Sequence, residues 1–200
     1  MKIFVSLLLL FSFYADAQEK YSMRLVYGQA TTNSLLKVVT GRVGSHPENL
    51  HTLALDGGYL LTQNLFDLPV DIYLKGGVSY FNEGAYDDTY EMLTYVKAFY
   101  NVDFADNRMR FGFGEGVSYT TSLLEAERYE SSQDGGNTSK FLNYLDISID
   151  FDIGKFLGSP LWEETYVGIL LKHRSGIYGL INNVANGGSN YNSIYFERNF

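Results

Sequence analysis

The stretch KFLNYLDISIDFDI, residues 140–153, decides the fold. Its odd positions are Phe141, Asn143, Leu145, Ile147, Ile149, Phe151 and Ile153. Its even positions are Leu142, Tyr144, Asp146, Ser148, Asp150 and Asp152. A period of two belongs to a strand with two unlike faces. One face is apolar and the other acidic. Carboxylates cannot point at lipid, so the acidic face lines an interior and the apolar face meets the membrane. A lipocalin-like soluble barrel has the reverse arrangement; a membrane barrel has this one.

The same pattern recurs outward from this segment. In 108–119 one face reads Met109, Phe111, Phe113, Glu115, Val117, Tyr119 and the other Arg108, Arg110, Gly112, Gly114, Gly116, Ser118. The small and basic face is expected to meet Asp146 and Asp150 in a packed polar core, as a barrel of eight strands requires. Period-2 stretches appear at 20–28, 50–63, 69–80, 90–102, 108–119, 140–153, 163–175 and 189–200, most of them long enough for a tilted membrane strand. The connections alternate. Those at 29–49, 81–89, 120–139 and 176–188 are mostly long and polar; those at 64–68, 103–107 and 154–162 are shorter. In an up-and-down meander the two sets lie at opposite ends. The expected fold is therefore all-β: an eight-stranded antiparallel up-and-down transmembrane β-barrel of the bacterial outer membrane, with short turns inside and larger loops outside.

Composition agrees. Residues 1–17, MKIFVSLLLLFSFYADA, combine Lys2, an apolar run and the small-x-small site Ala15-Asp16-Ala17, which is a secretory signal peptide. The barrel then occupies 18–200. There is no cysteine, so no disulfide and no thiolate metal site. The formal charge of −8 argues against nucleic acid. With 17 Tyr, 14 Phe, 20 Gly and 3 Pro, the chain favours sheet over helix. His46 and His51 lack a third ligand, so neither a metal nor another cofactor is expected. Glu125, Glu127, Glu130 and Asp134, with Asp87 and Asp88, read as solvated loop acids.

The candidate chemistry sits in the last two strands. In 163–175 one face carries Thr165, Val167, Ile169, Leu171, His173 and Ser175. Its apolar half must meet lipid, so His173 and Ser175 continue that face at its outer end. Lys172 and Arg174 point inward, or rise toward lipid phosphates at the rim. Asn143 shares the lipid face of the neighbouring strand. Asn190 and Asn192 share the parity of Ile194 and Phe196, and Glu115 lies on the lipid face of 108–119. A nucleophile needs an adjacent base and an orienting group, and this patch holds residues of each kind.

At these residues a family resemblance enters. The run HRSGIYGLINNVANGGSNYNSIYFERNF resembles the end of the PagL-like outer-membrane lipid A 3-O-deacylases, also described as acyloxyacyl hydrolase-like. FGEGVSYTTSLLEAE, SKFLNYLDISIDF and YGQATTNSLLKVVT are similar to other segments of that group. The resemblance implies a serine ester hydrolase facing outer-leaflet lipopolysaccharide. Ser175 would be the nucleophile and His173 the general base. Asn143, the amide near Gly176 or Arg174 would contact substrate or oxyanion. The family has an acid near the start of the last strand as third triad member. Here Asn190 and Asn192 stand there, with Glu115 as the alternative acid. The family's serine is usually followed by Asn; here it is Gly176. The terminal Phe200 resembles the signal by which the barrel assembly machinery recognises its clients. The alternative is a non-catalytic small barrel with a structural or adhesive role.

Overall fold

The computed structural model describes residues 20–42 and 44–200; the expected signal peptide lies outside them. Eight strands form: β1 (Tyr21–Thr31), β2 (His51–Thr62), β3 (Val70–Asn82), β4 (Thr89–Phe104), β5 (Asn107–Thr120), β6 (Phe141–Asp152), β7 (Thr165–Ser175) and β8 (Ser189–Asn199). Each pairs antiparallel with its sequence neighbour, and β1 closes on β8. Closure leaves no edge strand, so the backbone polar groups of the wall bond within it. The fold is a closed eight-stranded antiparallel barrel.

Alternation sets the two faces. Leu25, Leu55, Val78, Met92, Phe113, Ile169 and Ile194 are exposed on the outside. Tyr27, Tyr90, Tyr119 and Phe141 ring this belt near the loop end; Tyr21, Tyr59, Tyr100, Phe151 and Phe200 ring it near the turn end. Such aromatic girdles mark the two interfaces of a membrane barrel. No helix among the described residues is long and apolar enough to cross a membrane; the crossing elements are strands.

The interior is filled with paired charge. Arg110 grips Asp150 through two parallel bonds of 2.9 and 2.8 Å and lies between the Phe99 and Tyr166 rings. Arg24 reaches Asp56 at 2.9 Å and Asp146 at 2.7 Å, and Lys97 also bonds Asp146. Lys75 bonds Glu197 at 2.6 Å. Nearer the loops Lys172 pairs with Glu91 and Arg174 with Glu127. The expected meeting of β5 basics with β6 acids is realised by Arg110. Arg108 instead stays at the turn end, bonded to Asp103 at 2.8 Å. Gly112 and Gly114 make room for this network: a Cβ at Gly112 would meet Lys97 Cε at 2.6 Å, and one at Gly114 Asp146 Cβ at 3.1 Å.

The connections differ in kind. At the turn end β4 and β5 join through Ala105 and Asp106, both left-handed (φ 50° and 57°), the pairing of a type I′ turn. At the other end lie L1 (residues 32–50), L2 (83–88), L3 (121–140) and L4 (176–188). L1 contains a short helix α1 (Leu35–Val39) and L3 a longer one, α2 (Glu125–Asp134); α3 (Ile153–Leu157) follows β6. Helix α2 is a departure from the all-loop expectation. It carries Glu125 and Glu127 in its first turn, where the helix dipole favours acids, and stops at left-handed Gly135. Its start plugs the barrel mouth: Leu124 and Ala126 pack with Ala30, Leu50, Phe81 and Tyr191. Glu127, read from sequence as a solvated loop acid, is fully buried there against Arg174. Arg174 supplies the charge that makes this burial tolerable.

Candidate active site

His173 and Ser175 lie on the outward face of β7 at its loop end, two residues apart. Register fixes their neighbours. Ser175 pairs with Asn143 and Leu145 with His173 across β6–β7; His173 pairs with Asn190 across β7–β8. The imidazole makes its side-chain bond to Asn190, with Nδ1 to Oδ1 at 2.8 Å. Asn190 Nδ2 in turn donates to the backbone carbonyl of Asn33 in L1 at 3.1 Å. An acceptor oxygen facing Nδ1 requires the ring hydrogen on Nδ1. Nε2 then keeps its lone pair, which is the state a general base needs. Two residues of strand rise about 6.8 Å, so Ser175 stands one register pair nearer the loops than the ring.

The outer face here is not bare wall. L1 leaves β1, crosses β8 and sets α1 against β7. Leu35 and Val38 are half-buried, while Leu36 and Val39 are exposed. Asn190 is only 3% exposed and Leu171 7%, although both point outward. On the other side L4 leans over β6, where Asn182 Nδ2 donates to the Phe141 carbonyl at 2.8 Å and to Ser139 Oγ at 3.0 Å. Asn143 is buried as a result. His173 and Ser175 thus form the floor between two loops. Gly176 is required sterically: a Cβ there would lie 2.1 Å from the Val184 carbonyl oxygen. Gly188 runs beside the ring, its Cβ position 3.5 Å from His173 Cε1 and 2.5 Å from the Arg174 carbonyl oxygen.

The remaining candidates separate. Asn192 points outward one register pair below Asn190, beside Leu171, and donates to the Gly44 carbonyl at 3.5 Å, so it serves L1 and not the ring. Glu115 pairs with Leu145, which pairs with His173. Two strand spacings, about 9.6 Å, therefore lie between them, and Asn190 is the ring's partner. Arg174 is enclosed within the barrel, bonded to Ser118 Oγ at 2.6 Å, to Glu127 and to the Lys140 carbonyl. Inward parity and the Glu127 carboxylate hold it there, so it does not reach the lipid side as a substrate contact. Among the described residues no three His, Asp or Glu side chains converge as a metal would need. The contribution of L1, through the carbonyls of Asn33 and Gly44, has no residue-type signal, because any residue supplies a carbonyl.

No protein-family model matches this chain, and no curated protein sequence does. Solved structures do. The outer membrane enzyme PagL superposes with a TM-score of 0.60 at 12% identity, covering 88% of this chain and 98% of that one. A de novo designed transmembrane β-barrel gives 0.51 at 11% identity over 94% of this chain and 100% of its own. Neisserial surface protein A gives 0.50 at 12% over 93% and 100%. At these identities the likeness establishes the fold, that of small outer-membrane barrels.

Proposed function

We infer that this small outer-membrane barrel is an ester hydrolase acting on lipid A in the outer leaflet, with Ser175 as nucleophile, His173 as general base and Asn190 as the residue orienting the imidazole. The observation that carries this reading is the 2.8 Å contact of His173 Nδ1 with Asn190 Oδ1 on the outside of the wall, beside a serine on the same face. Ser175 Oγ attacks the ester carbonyl while His173 Nε2 takes its proton. The bond to the alcohol oxygen breaks as His173 returns that proton to the leaving alkoxide. Water then repeats the sequence on the acyl-serine, releasing the carboxylic acid and restoring Ser175. Asn143, the register partner of Ser175, and the amide of Gly176 are the donors nearest the developing oxyanion. A neutral Asn orients the imidazole but stabilises imidazolium less than a carboxylate does. Exposed Leu36, Val39, Tyr178 and Leu180 on the flanking loops suit acyl chains. Phe200, stacked on Tyr21 with centroids 6.5 Å apart, is proposed to carry recognition by the barrel assembly machinery.

A second reading, a non-catalytic surface barrel, draws on the loop cap. His46 of L1 packs edge-on against Tyr129 of α2 at 4.8 Å, and Glu83 of L2 accepts from the Glu125 amide. Expression in a Gram-negative host followed by mass spectrometry of lipid A separates the two. Wild-type protein removes one ester-linked acyl chain; Ser175→Ala and His173→Ala do not. Unchanged lipid A in the presence of folded wild-type barrel sinks the hydrolase reading and leaves the surface one.

A further inference from the structure

An asparagine beside a histidine poses a problem that an aspartate does not. A carboxylate presents an acceptor whichever oxygen faces the ring. A carboxamide is nearly unchanged in shape by a half-turn about its last torsion, yet the half-turn exchanges acceptor for donor. With Oδ1 toward His173 the ring carries hydrogen on Nδ1 and Nε2 is basic. With Nδ2 toward His173 the ring accepts at Nδ1, the hydrogen sits on Nε2, and Nε2 has no lone pair with which to act as a base. The Asn190 carboxamide by itself does not choose between these states.

We propose that loop L1 makes the choice, with the Asn33 carbonyl acting as a positioning group that fixes the Asn190 amide and, through it, the tautomer of His173. The contact is Asn190 Nδ2 to Asn33 O at 3.1 Å. A carbonyl accepts and cannot donate, so it admits only the orientation with Oδ1 on the ring. In the flipped state two acceptor oxygens face each other. Asn190 is 3% exposed, so solvent does not relieve that clash. Exchanging a hydrogen bond for an acceptor–acceptor contact at a buried position biases the two states by roughly tenfold or more.

The selector is itself held. The Asn33 amide donates to Thr31 Oγ1 at 3.1 Å and its side-chain Nδ2 to the Arg42 carbonyl at 3.0 Å, which ties the two ends of the strap together. Gly44 sits in this neck: a Cβ there would meet Asn33 Nδ2 at 2.6 Å. A long second stitch runs from Asn192 Nδ2 to the Gly44 carbonyl, and α1 rests on β7. The seat of L1 therefore sets which ring nitrogen of His173 keeps a lone pair. This rests on the hydrolase reading for its consequence in catalysis, but not for its geometry.

The test uses the full chain in lipid nanodiscs, with histidine labelled in ¹⁵N. His173 is assigned by comparison with His46→Gln and His51→Gln proteins. Long-range ¹H–¹⁵N spectra read the tautomer directly. Wild type shows His173 as the Nδ1–H form. Thr31→Val/Asn33→Ala, which frees the neck of L1, shifts it toward Nε2–H and lowers kcat of ester hydrolysis roughly in proportion, with KM little changed. Asn190→Asp removes the need for a selector, so the neck substitutions no longer move the tautomer in that background. The Ser189 backbone also accepts from the ring; as a main-chain group it is present in every variant, so a difference in tautomer between variants reports the neck of L1. Heat-modifiable migration confirms that each barrel is closed. A wild-type Nε2–H tautomer, or a tautomer ratio that ignores the neck substitutions, overturns the proposal. Absence of hydrolysis with the Nδ1–H form intact overturns the hydrolase reading instead.

Discussion

The two faces of β7 hold polar residues under opposite regimes. Inside, Lys172 bonds Glu91 and Ser79, and Arg174 bonds Ser118, Glu127 and the Lys140 carbonyl. Outside, His173 has one side-chain partner, and Ser175 has none among the described residues. The interior residues are more strongly charged and more deeply buried, yet their capacity is consumed by one another. The exterior pair keeps the Ser175 hydroxyl uncommitted. Charge and burial therefore do not single out the exterior pair; the uncommitted Ser175 hydroxyl does.

This contrast breaks most severely from within. Asp146→Ala strips Arg24 and Lys97 of their shared carboxylate in a dry interior and is expected to cost about 3–5 kcal/mol, read by urea unfolding of the barrel in lipid vesicles. On the outer face the same kind of truncation should act mainly on rate. Ser175→Ala and His173→Ala are expected to lower ester hydrolysis by at least ~10³-fold. Ser175→Ala should leave stability within about 0.5 kcal/mol of wild type, and His173→Ala, which leaves the buried Asn190 Oδ1 unpaired, should cost about 1–3 kcal/mol.

Glu83 sharpens the comparison at the mouth, where the two regimes meet. Burial without a cation partner pushes its carboxyl up to about 7, against an ordinary 4.5, with Glu127, Glu125 and Asp88 adding repulsion and the bond from the Glu125 amide opposing the shift. The folded state holds this proton to higher pH than the unfolded one. The L2–α2 contact is therefore at full strength below about pH 4.5 and weakens as pH rises through about 7. A loss of roughly 1–2 kcal/mol, discounted for screening at the mouth, should appear as reduced amide protection at Glu125. Glu83→Gln should abolish the pH dependence. The smallest effect is expected at Glu115. It shares the height of His173 on the wall but not its reach, so Glu115→Gln should leave hydrolysis unchanged and stability within about 0.5 kcal/mol. A rate loss there would return Glu115 to the site in place of Asn190.

Strand positions were legible because a membrane barrel writes its two faces into every second residue. The observed strands begin and end within a few residues of the periodic stretches, and the largest gap is at β1, which runs on to Thr31. Parity also placed His173, Ser175, Asn143, Asn190 and Asn192 on the outside. It failed where a residue's fate depends on distant chain. Glu127 looked like loop charge, but the register that aims Arg174 up the lumen gives it a partner. Glu115 shares the outward parity but has one strand between it and β7, about 10 Å at the strand spacing, and the register keeps it there. Asn190 over Asn192 was not decidable from sequence. Both face outward near the loops, and the choice follows from which one stands opposite His173 in the β7–β8 register. The strap L1 left no mark, since its contribution is made by main-chain oxygens.

The filled lumen has a consequence for the membrane that holds it. Arg24, Lys75, Lys97 and Arg110 occupy the bore with their carboxylates, and α2 stops the mouth. Such a cylinder offers no route for ions or solutes, so a cell could carry many copies without weakening its permeability barrier.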